Sequence, residues 1–169
     1  MNKFAKPIGS LLSLFFLGCT TAGIQDYKET KPDFIFEKYF NGPMIAKGVF
    51  QKRNGLVTRR FTIAMEGSWQ GNQGTLKEDF IYDDGEKYHR TWYITKQEDG
   101  SYIGTASDIL GESRGEVKGF ALRWKYTMAL PVDGKVYNVD FDDWMYLLDD
   151  HTLINKSHMS KFGYELGQV

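Results

Sequence analysis

Four charged residues stand where side chains of the same parity are mostly apolar. Glu78 alternates with Leu76, Phe80 and Tyr82, and Arg90 with Tyr88, Trp92 and Ile94. Asp108 shares its parity with Tyr102, Gly104 and Ala106, and Asp143 with Tyr137, Val139, Phe141, Met145 and Leu147. Residues of one parity line one face of a strand, so each charge is expected inside an apolar layer. A charge there is costly unless it is paired and hydrogen-bonded. Arg90 is the natural partner of the three acids, because its planar fork holds carboxylates and stacks on rings. Two readings follow. The network can be satisfied within itself and fix strand register. Alternatively, it leaves a polar handle inside an apolar cavity, able to orient the head group of a lipid-like ligand. In that second reading Phe80, Trp92, Trp124, Phe141 and Met145 line the cavity, and Arg90 meets an anionic head. A catalytic acid–base pair is the remaining use of such carboxyls.

Other chemistry is thin. Gly111-Glu112-Ser113-Arg114-Gly115 has the spacing of a nucleophile elbow, which needs a strand before it and a helix after it. Strand-like alternation follows from Glu116 to Leu130, so a glycine-rich turn is expected instead. His89, His151 and His158 lie at no metal-ligand spacing. The acids Asp140, Asp142, Asp143, Asp149 and Asp150 lack the glycine and terminal glutamate of a calcium loop. No phosphate loop or dinucleotide fingerprint is present. No metal, no cofactor and no enzymatic activity are therefore expected. With 21 Lys+Arg against 22 Asp+Glu there is no basic surplus for nucleic acid.

The elements that must position these residues read as a meander. At 169 residues, 15% of them aromatic, the chain can fund one core. Turn signals recur at Arg53-Asn54-Gly55, Gln70 to Gly74, Asp83-Asp84-Gly85, Glu98-Asp99-Gly100, Gly111 to Gly115, Asp133-Gly134 and Asp149-Asp150. They separate eight candidate strands at about 44–52, 56–69, 75–82, 86–96, 101–109, 116–130, 135–147 and 151–159, and Ser160 to Val169 is open to a ninth. On 116–130, Phe120, Leu122, Trp124, Tyr126, Met128 and Leu130 share one face, opposite Arg123, Lys125 and Thr127. Short turns make neighbours antiparallel. Eight or nine such strands lose their edges by closing into an up-and-down barrel of lipocalin-like architecture, with a two-sheet sandwich as the alternative. Asp33 to Phe40 is expected as a short helix before the strands.

The N-terminus reads as an address. Lys3 and Lys6 precede an almost wholly apolar run from Ile8 to Leu17, which is a secretory signal pattern too short to span a bilayer. At its end, Phe16-Leu17-Gly18-Cys19 resembles the lipobox of bacterial lipoproteins, whose cysteine is acylated and becomes the new N-terminus. Phe16 departs from the usual leucine. Cys19 is the only cysteine in the chain, and Thr20 in place of Asp resembles the outer-membrane sorting pattern. The expected organisation is a signal peptide at 1–18, a lipidated tether at 19–32 and one barrel domain at 33–169.

Gly67-Ser68-Trp69 is similar to the G-x-W triplet of lipocalins. A likeness over nearly all of the mature chain rests on Phe141-Asp142-Asp143-Trp144-Met145-Tyr146, Arg90-Thr91-Trp92, Gly104-Thr105-Ala106-Ser107-Asp108 with Gly111, Trp124-Lys125-Tyr126, and Lys161-Phe162-Gly163 after Asn155. These segments resemble the bacterial lipoprotein family known as domain of unknown function 3833. The resemblance implies an envelope protein of proteobacteria, often encoded near lipid-modifying enzymes, with no established activity. The expected protein is an outer-membrane-anchored lipoprotein facing the periplasm. Its barrel binds or carries a fatty acid, a phospholipid or another apolar molecule. The alternative is a structural or partner-binding envelope protein with a packed, ligand-free barrel. Interior volume separates the two.

Overall fold

A computed structural model describes residues 21–132 and 134–169. The segment expected as a signal peptide, with Cys19 and Thr20, lies outside the described residues. One 3₁₀ turn, Ile24–Tyr27, and one helical turn, α1 (Phe36–Tyr39), precede ten strands. The strands are β1 (Gly42–Lys52), β2 (Val57–Gln70), β3 (Gln73–Tyr82), β4 (Lys87–Lys96), β5 (Tyr102–Thr105), β6 (Ser113–Lys118), β7 (Ala121–Val132), β8 (Lys135–Leu147), β9 (Leu153–Lys161) and β10 (Tyr164–Gln168). Each pairs antiparallel with its sequence neighbours, and β10 closes on β1 through Gln51↔Gln168 and Lys52↔Gly167. The result is the expected up-and-down barrel.

The strand count is ten rather than eight or nine, because the expected strand 116–130 is in fact two. Lys118 pairs with Ala121 across a two-residue reversal at Gly119-Phe120. The reversal switches the inward parity from odd on β6 (Ser113, Gly115, Val117) to even on β7 (Leu122, Trp124), and the switch is hard to read because two of the three inward residues of β6 are Ser and Gly. Gly119 adopts φ +52°, and a Cβ there would stand 2.1 Å from Thr30 Oγ1. The expected strand 101–109 shortens to β5, and Asp108 belongs to the following loop. That loop is tied to β7 by Leu110 N–H to Thr127 O and by Ala129 N–H to Asp108 O. Ser113, expected in a turn, is a fully buried residue of β6 whose hydroxyl donates to Gly104 O.

Alternation places the core inside. On β3 the inward Leu76, Glu78 and Phe80 are buried while Lys77, Asp79 and Ile81 are exposed. Trp124 lies flat on two strands, because Gly104 and Gly115 have no side chains to lift it: Cβ atoms there would stand 2.6 and 2.2 Å from its ring.

One end of the barrel is plugged. Phe34, Phe36 and Phe40 are buried there. Phe36 stacks on Tyr102 at 4.6 Å and Trp124 at 5.7 Å, and meets Trp69 edge-on. Fully burying each phenyl contributes about 2 kcal/mol. The triplet at 67–69 serves this plug. Trp69 Nε1–H donates to Phe40 O at 2.9 Å, and a Cβ on Gly67 would collide with that same carbonyl at 2.3 Å. Tyr102 donates to the Glu37 carboxylate at 2.8 Å. The helix is a single turn instead of the expected 33–40, since Phe34 reaches the core from extended backbone.

The stretch expected as a lipidated tether at 19–32 carries a 3₁₀ turn at Ile24–Tyr27 within its described part. Ile24 is buried, and Tyr27 packs on Phe120, Trp144 and Tyr146. Trp144 and Tyr146 sit on the outer face of β8, so residues 24–27 form a strap across the outside of the barrel. Two anchoring side chains on one turn produce no periodicity, which is why this stretch reads as a tether.

Candidate functional site

The sheet register brings the inward charges into one layer. Glu78 on β3 pairs directly with Arg90 on β4. Arg90 Nη1 stands 3.5 Å from Glu78 Oε2. Its Nε and Nη2 donate to one oxygen of Asp108, Oδ2, at 3.0 and 2.8 Å. The guanidinium lies 5.6 Å from the Phe80 ring, 5.8 Å from Tyr88 and 5.7 Å from Trp92. On the opposite wall Asp143 accepts from Tyr126 Oη at 3.4 Å and faces Ser157 in the β8–β9 register.

This layer is not self-satisfied. Glu78 Oε2, Asp108 Oδ1, Asp143 Oδ1 and Ser157 Oγ are buried without hydrogen-bond partners. A buried acceptor without a donor costs about 1–3 kcal/mol. Burial pushes Glu78 up to about 7, against the pull of Arg90, and pushes Asp143 up to about 6. Tyr126 is raised by burial first and then by the Asp143 charge. Burial also works against the Arg90 charge, but Glu78 and Asp108 outweigh it and hold the guanidinium protonated.

The ten residues named from the sequence divide three ways. Arg90, Glu78, Asp108 and Asp143 meet in the layer, with Phe80 and Trp92 against the guanidinium. Trp92 touches Trp124 edge-on at 5.9 Å, and Phe141 stacks on Tyr126 at 5.0 Å. Met145, opposite Leu122 in register, packs toward the plugged end. Cys19 lies outside the described residues. The expectation that Arg90 stands open to an anionic head does not fit this geometry, because its nitrogens already face carboxylates. Tyr126, Met128 and Ser157 complete the layer. Tyr126 and Met128 share the parity of Trp124, whereas Ser157 follows the exposed Asn155 on β9 and carries no signal in the sequence.

The end opposite the plug is more open. Phe50, Phe61, Tyr82 and Tyr88 are half-buried there, and Tyr137 is 37% exposed. The best-formed concavities of the described residues lie elsewhere, as open surface grooves of about 520 Å³ each. One runs past Trp69, Gly74 and Tyr93 and the other past Lys96 and Arg114; neither touches the charged layer. Among the described residues no group of three or more acidic, histidine or cysteine side chains is placed to hold a metal.

A family model described as protein of unknown function (DUF3833) matches residues 13–169. This bears out the resemblance read from the segments around Phe141–Tyr146. No curated protein and no solved structure matches.

Proposed function

We infer a role from the barrel itself, because the chain belongs to the DUF3833 family, whose description assigns no function. We propose that it is a lipoprotein held in the outer membrane through Cys19, with its barrel in the periplasm. The barrel binds a lipid-like apolar molecule whose polar end reaches the Arg90 layer. The observation that carries this reading is an unsatisfied polar layer inside an aromatic-lined barrel that is plugged at one end and less buried at the other. Unpartnered buried oxygens are costly in a core built only for packing. The anchor fits the same picture. Cys19 precedes the buried Ile24 by five residues, a reach of about 17 Å at most. The strap lies by the plugged end, so the mouth of an anchored barrel faces away from the membrane.

A second reading, a packed barrel acting as scaffold or partner, is favoured by the stacked Tyr126 and Phe141 rings and by the position of the grooves outside. Native mass spectrometry of the full chain taken from envelopes separates the two. A co-purified lipid supports the carrier, and an empty barrel that binds no added amphiphile supports the scaffold. Labelling with radioactive palmitate tests the anchor: wild type takes label and Cys19→Ala does not, and equal labelling removes the lipoprotein reading.

A further inference from the structure

The polar end of the ligand follows from the charges and hydrogen bonds of the interior layer, and this step rests on the reading that the barrel binds an amphiphile. Each nitrogen of Arg90 faces a carboxylate oxygen. No hydrogen bond reaches Asp108 Oδ1, Asp143 Oδ1 or Glu78 Oε2, the last in ion-pair range of Arg90 Nη1 at 3.5 Å, and the Ser157 hydroxyl, which can donate and accept, has no partner either. Ser157 is 2% exposed, Asp143 6% and Glu78 9%. In the ring of strands β3 and β8 are five places apart out of ten, so Glu78 and Asp143 stand on opposite walls. Side chains from both walls meet between them, Arg90 Nη2 reaching Met128 Sδ at 3.7 Å and Trp92 meeting Tyr126 at 5.5 Å, so a ligand end that reaches both carboxyl groups shares this space with them. Three carboxyl groups against one guanidinium leave the layer acidic when ionised. A carboxylate or phosphate head would add negative charge and bring acceptors to a layer already short of donors. An ammonium brings donors only and a compensating charge.

The geometry points to an amphiphile whose polar end is a protonated amine, donating N–H to Glu78 and Asp143 while its aliphatic body lies among the rings toward the mouth.

The test uses the full chain in a mild detergent at pH 8, with octylamine, octanoate and octanol as probes. Tryptophan emission and thermal midpoint are the readouts. Octylamine is expected to half-saturate at a concentration at least ten-fold below octanoate. The Glu78→Gln, Asp143→Asn double variant is expected to erase that gap, while partition into micelles is common to variant and wild type. Should the double variant fail to fold, the wild-type order of probes decides alone. Octanoate binding as tightly as octylamine, or tighter, overturns the amine assignment and leaves the carrier reading standing. Failure of all three probes overturns the carrier reading, and the amine assignment with it.

Discussion

Arg90 sends two N–H groups to a single oxygen of Asp108, so that Oδ2 accepts twice while Oδ1 has no partner. Asp108 does not sit on a strand. It is held in the β5–β6 loop by its own carbonyl, which accepts from Ala129 N–H at 2.9 Å. The pair therefore clamps a loop of one wall to β4, and it keeps a positive charge beside the Glu78 and Asp108 carboxyl groups.

Removing the clamp strands those acids. Arg90→Met is expected to cost about 3–5 kcal/mol, since breaking a buried ion pair leaves its partner uncompensated. Adding Glu78→Gln and Asp108→Asn to Arg90→Met is expected to recover more than half of that loss. Urea denaturation of the single and triple variants measures both. A single-variant loss below about 1 kcal/mol would show that the acids do not depend on Arg90.

The pH dependence of stability has a definite sign. Glu78 and Asp143 titrate near 7 and 6 in the folded chain, above their ordinary values, because burial favours their neutral forms. Between about pH 4 and 7 the folded state thus holds protons that the unfolded chain has released. Their contribution is present at the acid end of that window and is lost as pH rises through it. The thermal midpoint is expected to fall from pH 5 to pH 8, by a free energy on the order of a few kcal/mol. Glu78→Gln is expected to remove most of the slope and to be the more stable protein at pH 8. A midpoint that rises over that range contradicts the burial of these acids.

Much of the barrel is legible from parity and turns. Asn54-Gly55, Asp84-Gly85 and Asp99-Gly100 do mark hairpins, and Leu76, Glu78 and Phe80 do face inward together. The layer around Arg90 is legible for the same reason, since a charge among apolar residues of one parity must point at the core. What is hidden is whatever depends on a third dimension. Gly119 reverses the chain and switches the inward parity, but the inward Ser113 and Gly115 of β6 carry no apolar signal that would reveal the switch. Asp108 reaches Arg90 from a loop, through a coincidence of parity rather than from a strand face. Trp144 stands among outward residues and is nevertheless buried, because Tyr27 and Ile24, 120 residues away or nearly so, lie across it.

The indole of Trp124 depends on two missing side chains. A Cβ on Gly115 would stand 2.2 and 2.4 Å from Cε3 and Cζ3 of that ring, and the ring is itself trapped between Trp92 and Phe36. Gly115→Ala is expected to cost about 1–3 kcal/mol by overpacking. Trp124→Leu costs stability alone, yet combined with Gly115→Ala it is expected to add less than the sum of the two. Denaturation of the four proteins in a double-mutant cycle reads the coupling. Simple additivity would mean that the ring does not rest on β6.

The strap offers a test in which local and global effects part. Tyr27 meets Tyr146 at 5.8 Å and Trp144 at 6.0 Å on the outside of the barrel, and Phe120 at 5.3 Å in the β6–β7 turn. None of these contacts reaches the charged layer or closes the β1–β10 seam. Tyr27→Ala should therefore free the strap without opening the barrel. The expected loss is about 1–2 kcal/mol, from the apolar contact of a half-buried ring together with its edge-on pairing. Trp144 then gains water, so its emission moves to the red. Limited proteolysis should cut between Ile24 and Pro32 several-fold faster than in the wild type, while the fragment that begins near Asp33 stays resistant. If the whole chain becomes protease-sensitive at once, residues 24–27 belong to the cooperative core, and the strap is part of what closes the barrel.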